Sequence, residues 1–242
     1  MIKVVFFDLG STLLYSPAPW PPVFEQANRA MLDVFRGNGM NLIGSDFLSE
    51  IQAHLDEYYA QREDEHVERT WMVAMREFLD ARGYEIIPDS ILRTALDAFF
   101  AVTQTNWVLE EDTHPTLGAL REAGFRLGMI SNASDDANVQ QLIDRWEMRL
   151  FFEFIITSAA CGIRKPRPEI YLQALQHFDV PAVDVAMVGD RLETDVLGAN
   201  NLGIFSIWIT RRAAKAVTGI LPRASVDQLA DIPKLLSKIN KS

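Results

Sequence analysis

Three observations predict an α/β protein: a doubly wound parallel sheet, interrupted early by an inserted α-helical domain. Short apolar runs at residues 4–7, 125–130, 154–156, 183–188 and 204–209 are separated by polar or glycine-containing steps. Such runs, rich in β-branched and aromatic residues, read as strands buried on both faces. Beyond residue 110 these runs alternate with helical patterns, which implies right-handed crossovers and a parallel sheet. Between residues 23 and 109 the apolar residues instead recur at helical spacing, with no strong strand among them.

The first strand, Val4-Val5-Phe6-Phe7, runs into Asp8-Leu9-Gly10-Ser11-Thr12. A carboxylate at the end of a buried strand is costly unless a cation or hydrogen-bond donors meet it. Ligands in open α/β sheets collect at the carboxyl ends of strands. Taken alone, Asp8 fits a turn or helix cap as well as it fits a reactive group. Pro17, Pro19, Pro21 and Pro22 then mark a linker or flap.

Val23, Ala27, Met31 and Phe35 form the stripe of a first helix, stopped by Gly37 and Gly39. Ser45 or Asp46 caps a second helix carrying Phe47, Ile51, Leu55 and Tyr59. Val67, Trp71, Met75 and Leu79 predict a third, ended at Gly83, and Asp89 caps a fourth with Leu92, Ala95 and Phe99. Four amphipathic helices in succession predict a compact unit whose aromatic and Met stripes are its own core. The sheet domain is therefore assigned residues 1–15 and 110–242, and the helical domain residues 16–109.

In the second part, helices are predicted at residues 115–123, around Val139, Leu142, Ile143 and Trp146, and at 170–178 and 195–202. Strand 125–130 ends in Ser131-Asn132, and strand 183–188 ends in Gly189-Asp190. The run after the 154–156 strand leads to Gly162-Ile163-Arg164-Lys165-Pro166. Val226, Leu229, Ile232, Leu235 and Leu236 predict a last amphipathic helix, broken near Pro233.

The 242 residues are 48% apolar and 23% charged, as in a globular protein. No apolar run is long enough to cross a bilayer. The chain enters a strand at once, so no signal peptide is expected. The single cysteine, Cys161, leaves no intramolecular disulfide and suits a reducing, cytoplasmic location. A net charge of −10 argues against nucleic acid or an anionic membrane as partner. It leaves room for a small phosphorylated metabolite, because one local cation and backbone N–H groups can hold a phosphate.

The predicted topology brings Asp8, Ser131, Asn132 and Asp190 to the same edge of the sheet, with Asp195 five residues further on and Lys165 in a neighbouring loop. Carboxylates meeting in one crevice repel unless something neutralises them. Magnesium does so, binding oxygen ligands while keeping waters that a phosphate can replace. Each residue also has an ordinary reading: Asp195 as a helix cap, Ser131 as a turn residue, Lys165 as solvated surface. Their joint placement at successive strand ends favours a site. By contrast, His54, His66, His114 and His177 have no metal-site spacing, Asp135 and Asp136 read as helix caps, Cys161 as a packed small residue, and Arg211-Arg212 as a solvated pair.

The motifs Phe6-Phe7-Asp8-Leu9-Gly10-Ser11-Thr12, Ile130-Ser131-Asn132, Gly162-Ile163-Arg164-Lys165-Pro166 with Pro168-Glu169-Ile170-Tyr171, and Val188-Gly189-Asp190 through Asp195 together resemble those of the haloacid dehalogenase superfamily of hydrolases. The resemblance covers nearly the whole chain, and the helical insert lies where that family places its first type of cap. It implies that Asp8 is a nucleophile forming an aspartyl-phosphate, and that Mg2+ is held by Asp8, the Gly10 carbonyl and Asp190, with Asp195 assisting. It also implies that Lys165 neutralises Asp8 and the phosphate, and that Thr12, Ser131 and Asn132 bond the phosphoryl oxygens.

The sequence departs from the pattern at Gly10, where the family's phosphatases carry an Asp that protonates the leaving oxygen. General acid–base catalysis is commonly worth about 10² to 10⁴ in rate. The expected function is a magnesium-dependent hydrolase of small phosphate monoesters, slowed by this loss. Two alternatives are a degenerate member that binds a phosphometabolite or a protein, and a 2-haloacid dehalogenase. Residues 16–109 contain no lysine, which argues against the family's phosphonate-cleaving chemistry. Tyr15 to Trp20 are the residues expected to touch the substrate.

Overall fold

A computed structural model describes residues 1–40, 47–84, 87–212 and 219–241. Its centre is a six-stranded sheet in which every neighbouring pair is parallel. In chain order the strands are β1 (Val4–Phe7), β4 (Arg126–Ser131), β5 (Phe154–Thr157), β6 (Val185–Gly189), β7 (Phe205–Ile209) and β8 (Ala224–Val226). Their spatial order is β5-β4-β1-β6-β7-β8. This is the doubly wound sheet that the alternating pattern predicts.

All four side chains of β1 are fully buried, because helices cover both faces of the sheet. Val5 and Phe7 pack toward Leu117, Leu120, Leu142, Ile143 and Leu236, from helices α5 (Thr113–Glu122), α6 (Asp136–Arg145) and α10 (Ile232–Lys241). Val4 and Phe6 pack on the other face toward Ile170, Tyr171 and Phe178 of α8 (Pro168–Phe178) and Ala199 of α9 (Leu197–Leu202). Each such side chain contributes about 1.5–3 kcal/mol of burial free energy. That anchors the strand carrying Asp8 at the middle of the sheet.

Helices α1 (Trp20–Gly37), α2 (Phe47–Glu65), α3 (Trp71–Asp80) and α4 (Asp89–Thr103) surround a separate apolar core that includes Met31, Phe35, Trp71, Phe78 and Phe99. A two-stranded antiparallel ribbon, β2 (Leu14–Tyr15) with β3 (Val108–Leu109), stands where the chain enters and leaves this unit. The ribbon is too short to read from sequence.

The structure corrects several local expectations. Pro21 and Pro22 do not exclude a helix but lie in the first turn of α1, where their missing N–H groups have no intrahelical partner to lose. Val67 is not on the third helix: Thr70 caps that helix by accepting from Val73 N, and Val67 instead pairs with Ile163 across an antiparallel bridge. Pro88 rather than Asp89 occupies the cap position of α4, and Asp89 pairs with Arg76 at 2.5 Å. Pro233 lies at the start of α10 rather than breaking it. Ser45 and Asp46 lie outside the described residues.

Candidate active site

Asp8 follows β1 directly, and its backbone N–H continues the sheet by donating to Val188 O at 2.9 Å. It is 8% exposed. Lys165, 1% exposed, reaches in from the loop between the short helix α7 (Ser158–Cys161) and α8. Its Nζ donates to Asp8 Oδ1 at 2.6 Å and to Ile130 O at 2.7 Å, and pairs with Asp195 Oδ1 at 2.7 Å. The ammonium is thereby fixed from three sides. Burial alone would lower its pKa, but Asp195 and Asp8 outweigh that effect and raise it.

Asp190 follows β6, and Trp208 Nε1 donates to its backbone carbonyl at 2.8 Å. Asp195 sits in a π-helical turn, Leu192–Val196, that carries it back toward the strand end. Its Oδ2 accepts from Arg191 N at 3.1 Å. Gly189 makes this approach possible: a Cβ there would stand 2.3 Å from Asp195 Cγ, so only glycine fits.

Carboxylate oxygens of Asp8, Asp190 and Asp195 lie within 4.8 Å of one another. Burial pushes the Asp8 carboxyl up to about 6, with Lys165 opposing and Asp195 adding to the rise. Burial, together with Asp8 and then Asp195, pushes Asp190 up to about 8. Three converging hard oxygen donors, too crowded to stay ionised unaided, fit a divalent cation.

The other residues singled out in the sequence separate in the structure. Ser131, at the end of β4, lines the same cleft as Asp8. Asn132 also lines it, but its side chain clamps the lysine loop: Oδ1 accepts from Lys165 N at 2.8 Å and Nδ2 donates to Lys165 O at 3.0 Å. Thr12 is fully buried, with no hydrogen-bond partner for its hydroxyl among the described residues, and Ser11 rather than Thr12 is at the cleft wall. Asp135 caps α6 by accepting from Asn138 N at 2.8 Å. Arg211 and Arg212 are not simply solvated: they pair with Glu110, and Arg211 also with Asp112 at 3.0 Å.

The cleft, of about 620 Å³ including its open mouth, is completed by two residues that sequence reasoning missed, Arg62 of α2 and Trp107. Trp107 stands over Gly10: a Cβ there would meet its ring at 3.3 Å. Trp20 packs against Trp107, with centroids 5.2 Å apart, rather than lining the cleft, and Tyr15 lies under Arg212. Arg62 falls seven residues after Leu55, on the buried stripe of its helix, and an arginine on that stripe is the feature that could have revealed it. No helix among the described residues is long and apolar enough to cross a membrane.

Residues 2–203 match the family model of the haloacid dehalogenase-like hydrolases. The chain is 30% identical over 213 residues to the glyceraldehyde 3-phosphate phosphatase of Pyrococcus abyssi, covering 86% of this chain and 81% of that one. Among solved structures it is similar to a 2-haloacid dehalogenase from Pseudomonas syringae pv. Tomato DC3000, with a TM-score of 0.73, 26% identity, and coverage of 99% of this chain and 100% of that one. A HAD phosphatase from Thermococcus onnurineus shares the fold with a TM-score of 0.67 at 23% identity, over 97% of this chain and 98% of that one.

Proposed function

The chain belongs to the haloacid dehalogenase-like hydrolases, and we propose that it is a magnesium-dependent hydrolase of small phosphate monoesters acting through an aspartyl-phosphate. The observation that carries this reading is the meeting of Asp8, Asp190 and Asp195 within 4.8 Å, beside the buried ammonium of Lys165. Asp8, Asp190, Asp195 and the Gly10 carbonyl would hold the ion. When bound, magnesium offsets the carboxylate charge and draws electron density from the phosphoryl oxygens.

The protein's own residues then supply alignment and charge. The Asp8 carboxylate bonds to phosphorus as the ester P–O bond breaks, and the electron pair leaves with the ester oxygen. That oxygen takes a proton from water. Lys165 holds Asp8 in place and offsets the negative charge of both partners. Ser131 and Ser11 offer hydroxyl donors to the phosphoryl oxygens. Water next adds to phosphorus, the bond to Asp8 breaks, and phosphate departs with the carboxylate restored. Helical residues 16–109 act as a cap that shapes the organic side of the cleft.

Gly10 has no proton to give the leaving oxygen, and Trp107 occupies the space beside it. Substrates with acidic leaving groups, such as aryl phosphates, are therefore expected to turn over faster than alkyl phosphates. Hydrolysis of p-nitrophenyl phosphate and of alkyl phosphates in magnesium, with and without a chelator, tests the reading. Turnover no greater than that of Asp8→Asn would refute it and leave binding without catalysis as the better account.

A second reading, 2-haloacid dehalogenation, is favoured by Gly10 and by the similarity to the Pseudomonas enzyme. Attack on carbon needs neither a proton for the leaving halide nor a metal. Halide release from 2-haloacids that persists in excess chelator would select it.

A further inference from the structure

Asp190 and Asp195 reach the site on one short loop, so the path of that loop sets where their oxygens stand. It leaves β6 at Gly189 and turns back through the π-helical segment Leu192–Val196. Its far end is tied to α8, where Tyr171 Oη donates to Thr194 O at 2.9 Å. At its near end stands Trp208 of β7.

Trp208 lies opposite Gly189 in the parallel register of β6 and β7. Residues in register point to the same face of a sheet, and a Cβ on Gly189 would point into Asp195. Ile207 and Ile209, one step either side, belong to the core on the opposite face. The indole is therefore on the face from which Asp195 approaches. Its Nε1, the only donor an indole has, donates to Asp190 O at 2.8 Å.

That carbonyl belongs to the peptide unit whose N–H, on Arg191, donates to Asp195 Oδ2 at 3.1 Å. A trans peptide is planar, with its C=O and N–H pointing in opposite directions. The indole and the Asp195 carboxylate thus grip one rigid plate from its two edges, and a rotation that breaks one bond breaks the other. A hydrogen bond at the carbonyl also polarises the amide and strengthens its N–H as a donor. The remaining oxygen of Asp195, Oδ1, pairs with Lys165, whose Nζ donates to Asp8 Oδ1. One chain of contacts therefore runs from a half-buried side chain on β7 to Asp8. The ordinary reading of Trp208 is cover for the sheet, which any large apolar side chain would provide. Packing does not require the bond from its one polar atom to this carbonyl.

We propose that Trp208 is a positioning residue for the cation site: its indole N–H fixes the peptide between Asp190 and Arg191, and through it the separation of the Asp190 and Asp195 carboxylates. This deepens the magnesium-dependent reading and rests on it for the identity of the ion. Trp208 touches neither ion nor substrate in this scheme.

Two variants test the assignment against the wild type. Trp208→Phe removes the N–H and keeps a ring, whereas Trp208→Gln loses the ring and keeps an N–H donor of similar reach. Calorimetric titration with magnesium should show binding about ten- to hundredfold weaker in Trp208→Phe, with part of the loss recovered in Trp208→Gln. In hydrolysis of p-nitrophenyl phosphate, the change should fall on the KM for magnesium more than on kcat. Without metal, the Arg191 amide proton should exchange with solvent about tenfold faster in Trp208→Phe, as read by NMR. Magnesium binding as tight in Trp208→Phe as in the wild type overturns the proposal. So does a Trp208→Gln protein that binds no better than Trp208→Phe, because lost packing would then account for the change. A wild type that binds no magnesium counts against the phosphomonoester reading. The exchange at Arg191 then decides the role of Trp208 by itself, and equal rates in the wild type and Trp208→Phe overturn it.

Discussion

The molecule contains two buried ionic clusters that meet at adjacent residues of one loop. Around Lys165, three carboxylates face one ammonium. Around Glu68, two guanidinium groups face one carboxylate. The first gathers oxygen donors that a cation could join, whereas the second closes its carboxylate with guanidinium and hydroxyl donors. Arg164 and Lys165 are adjacent in sequence yet serve different clusters. The contrast teaches that neither cluster is a stability device in its own right. A buried ion pair seldom repays its desolvation, and an unbalanced one repays it less. The excess of carboxylates around Lys165 is better explained by what binds there.

The contrast can be broken most sharply at Asp8. Asp8→Asn keeps the shape and removes the nucleophile, so turnover of p-nitrophenyl phosphate should fall on the order of 10⁴-fold or more. A variant that keeps substantial turnover would mean that the carboxylate cluster is not where the reaction occurs. The cluster around Glu68 responds differently. Glu68→Gln leaves two buried guanidinium groups facing a neutral amide, and should lower unfolding stability by about 3–5 kcal/mol in urea titration. A loss below about 1 kcal/mol would show that solvent reaches the cluster.

The smallest expected change is at Gly10. Restoring the carboxylate with Gly10→Asp places its Cβ against the Trp107 ring at 3.3 Å, so the single variant should gain little turnover of alkyl phosphates. Gly10→Asp with Trp107→Ala should gain up to about 10²-fold, a non-additive result that steady-state kinetics on the four proteins would detect. Additive behaviour would mean that Trp107 does not govern the space beside Asp8.

The two clusters also differ in how far they can be read from sequence. Asp8 and Asp190 each follow a short apolar strand directly, and in a parallel sheet the ends of central strands must meet. Asp195 stands five residues beyond such an end, and Lys165 lies in the loop that follows another strand, within a motif resembling that of the family. Nothing similar marks Arg62, Glu68 or Trp107. Arg62 is marked only by its place on the buried stripe of its helix, seven residues after Leu55, a weaker signal than a strand end. Glu68 lies beside Val67, whose four-residue spacing to Trp71 imitates a helix that begins only after Thr70. Trp107 precedes a two-residue strand visible only once its partner is in place. Position along the chain does not reveal that the Asn132 amide also clamps the backbone of Lys165, leaving one of its two N–H donors for a ligand in the cleft.

The bridge between Val67 and Ile163 has a mechanical consequence. The chain crosses between the helical unit and the sheet twice, side by side, at Leu14–Tyr15 and Val108–Leu109, and two adjacent crossings define an axle. Glu68 N bonded to Gly162 O at 2.9 Å and Arg164 N bonded to His66 O at 3.1 Å add an attachment away from that axle, on the segment that leads into Lys165. A body held on an axle can swing, but one also tied away from the axle cannot until the tie is released. Separating the helices from the sheet would thus require unfastening the segment of chain that aims the lysine, together with the ties from Trp71 N to Ser134 O and from Arg93 to Asp135.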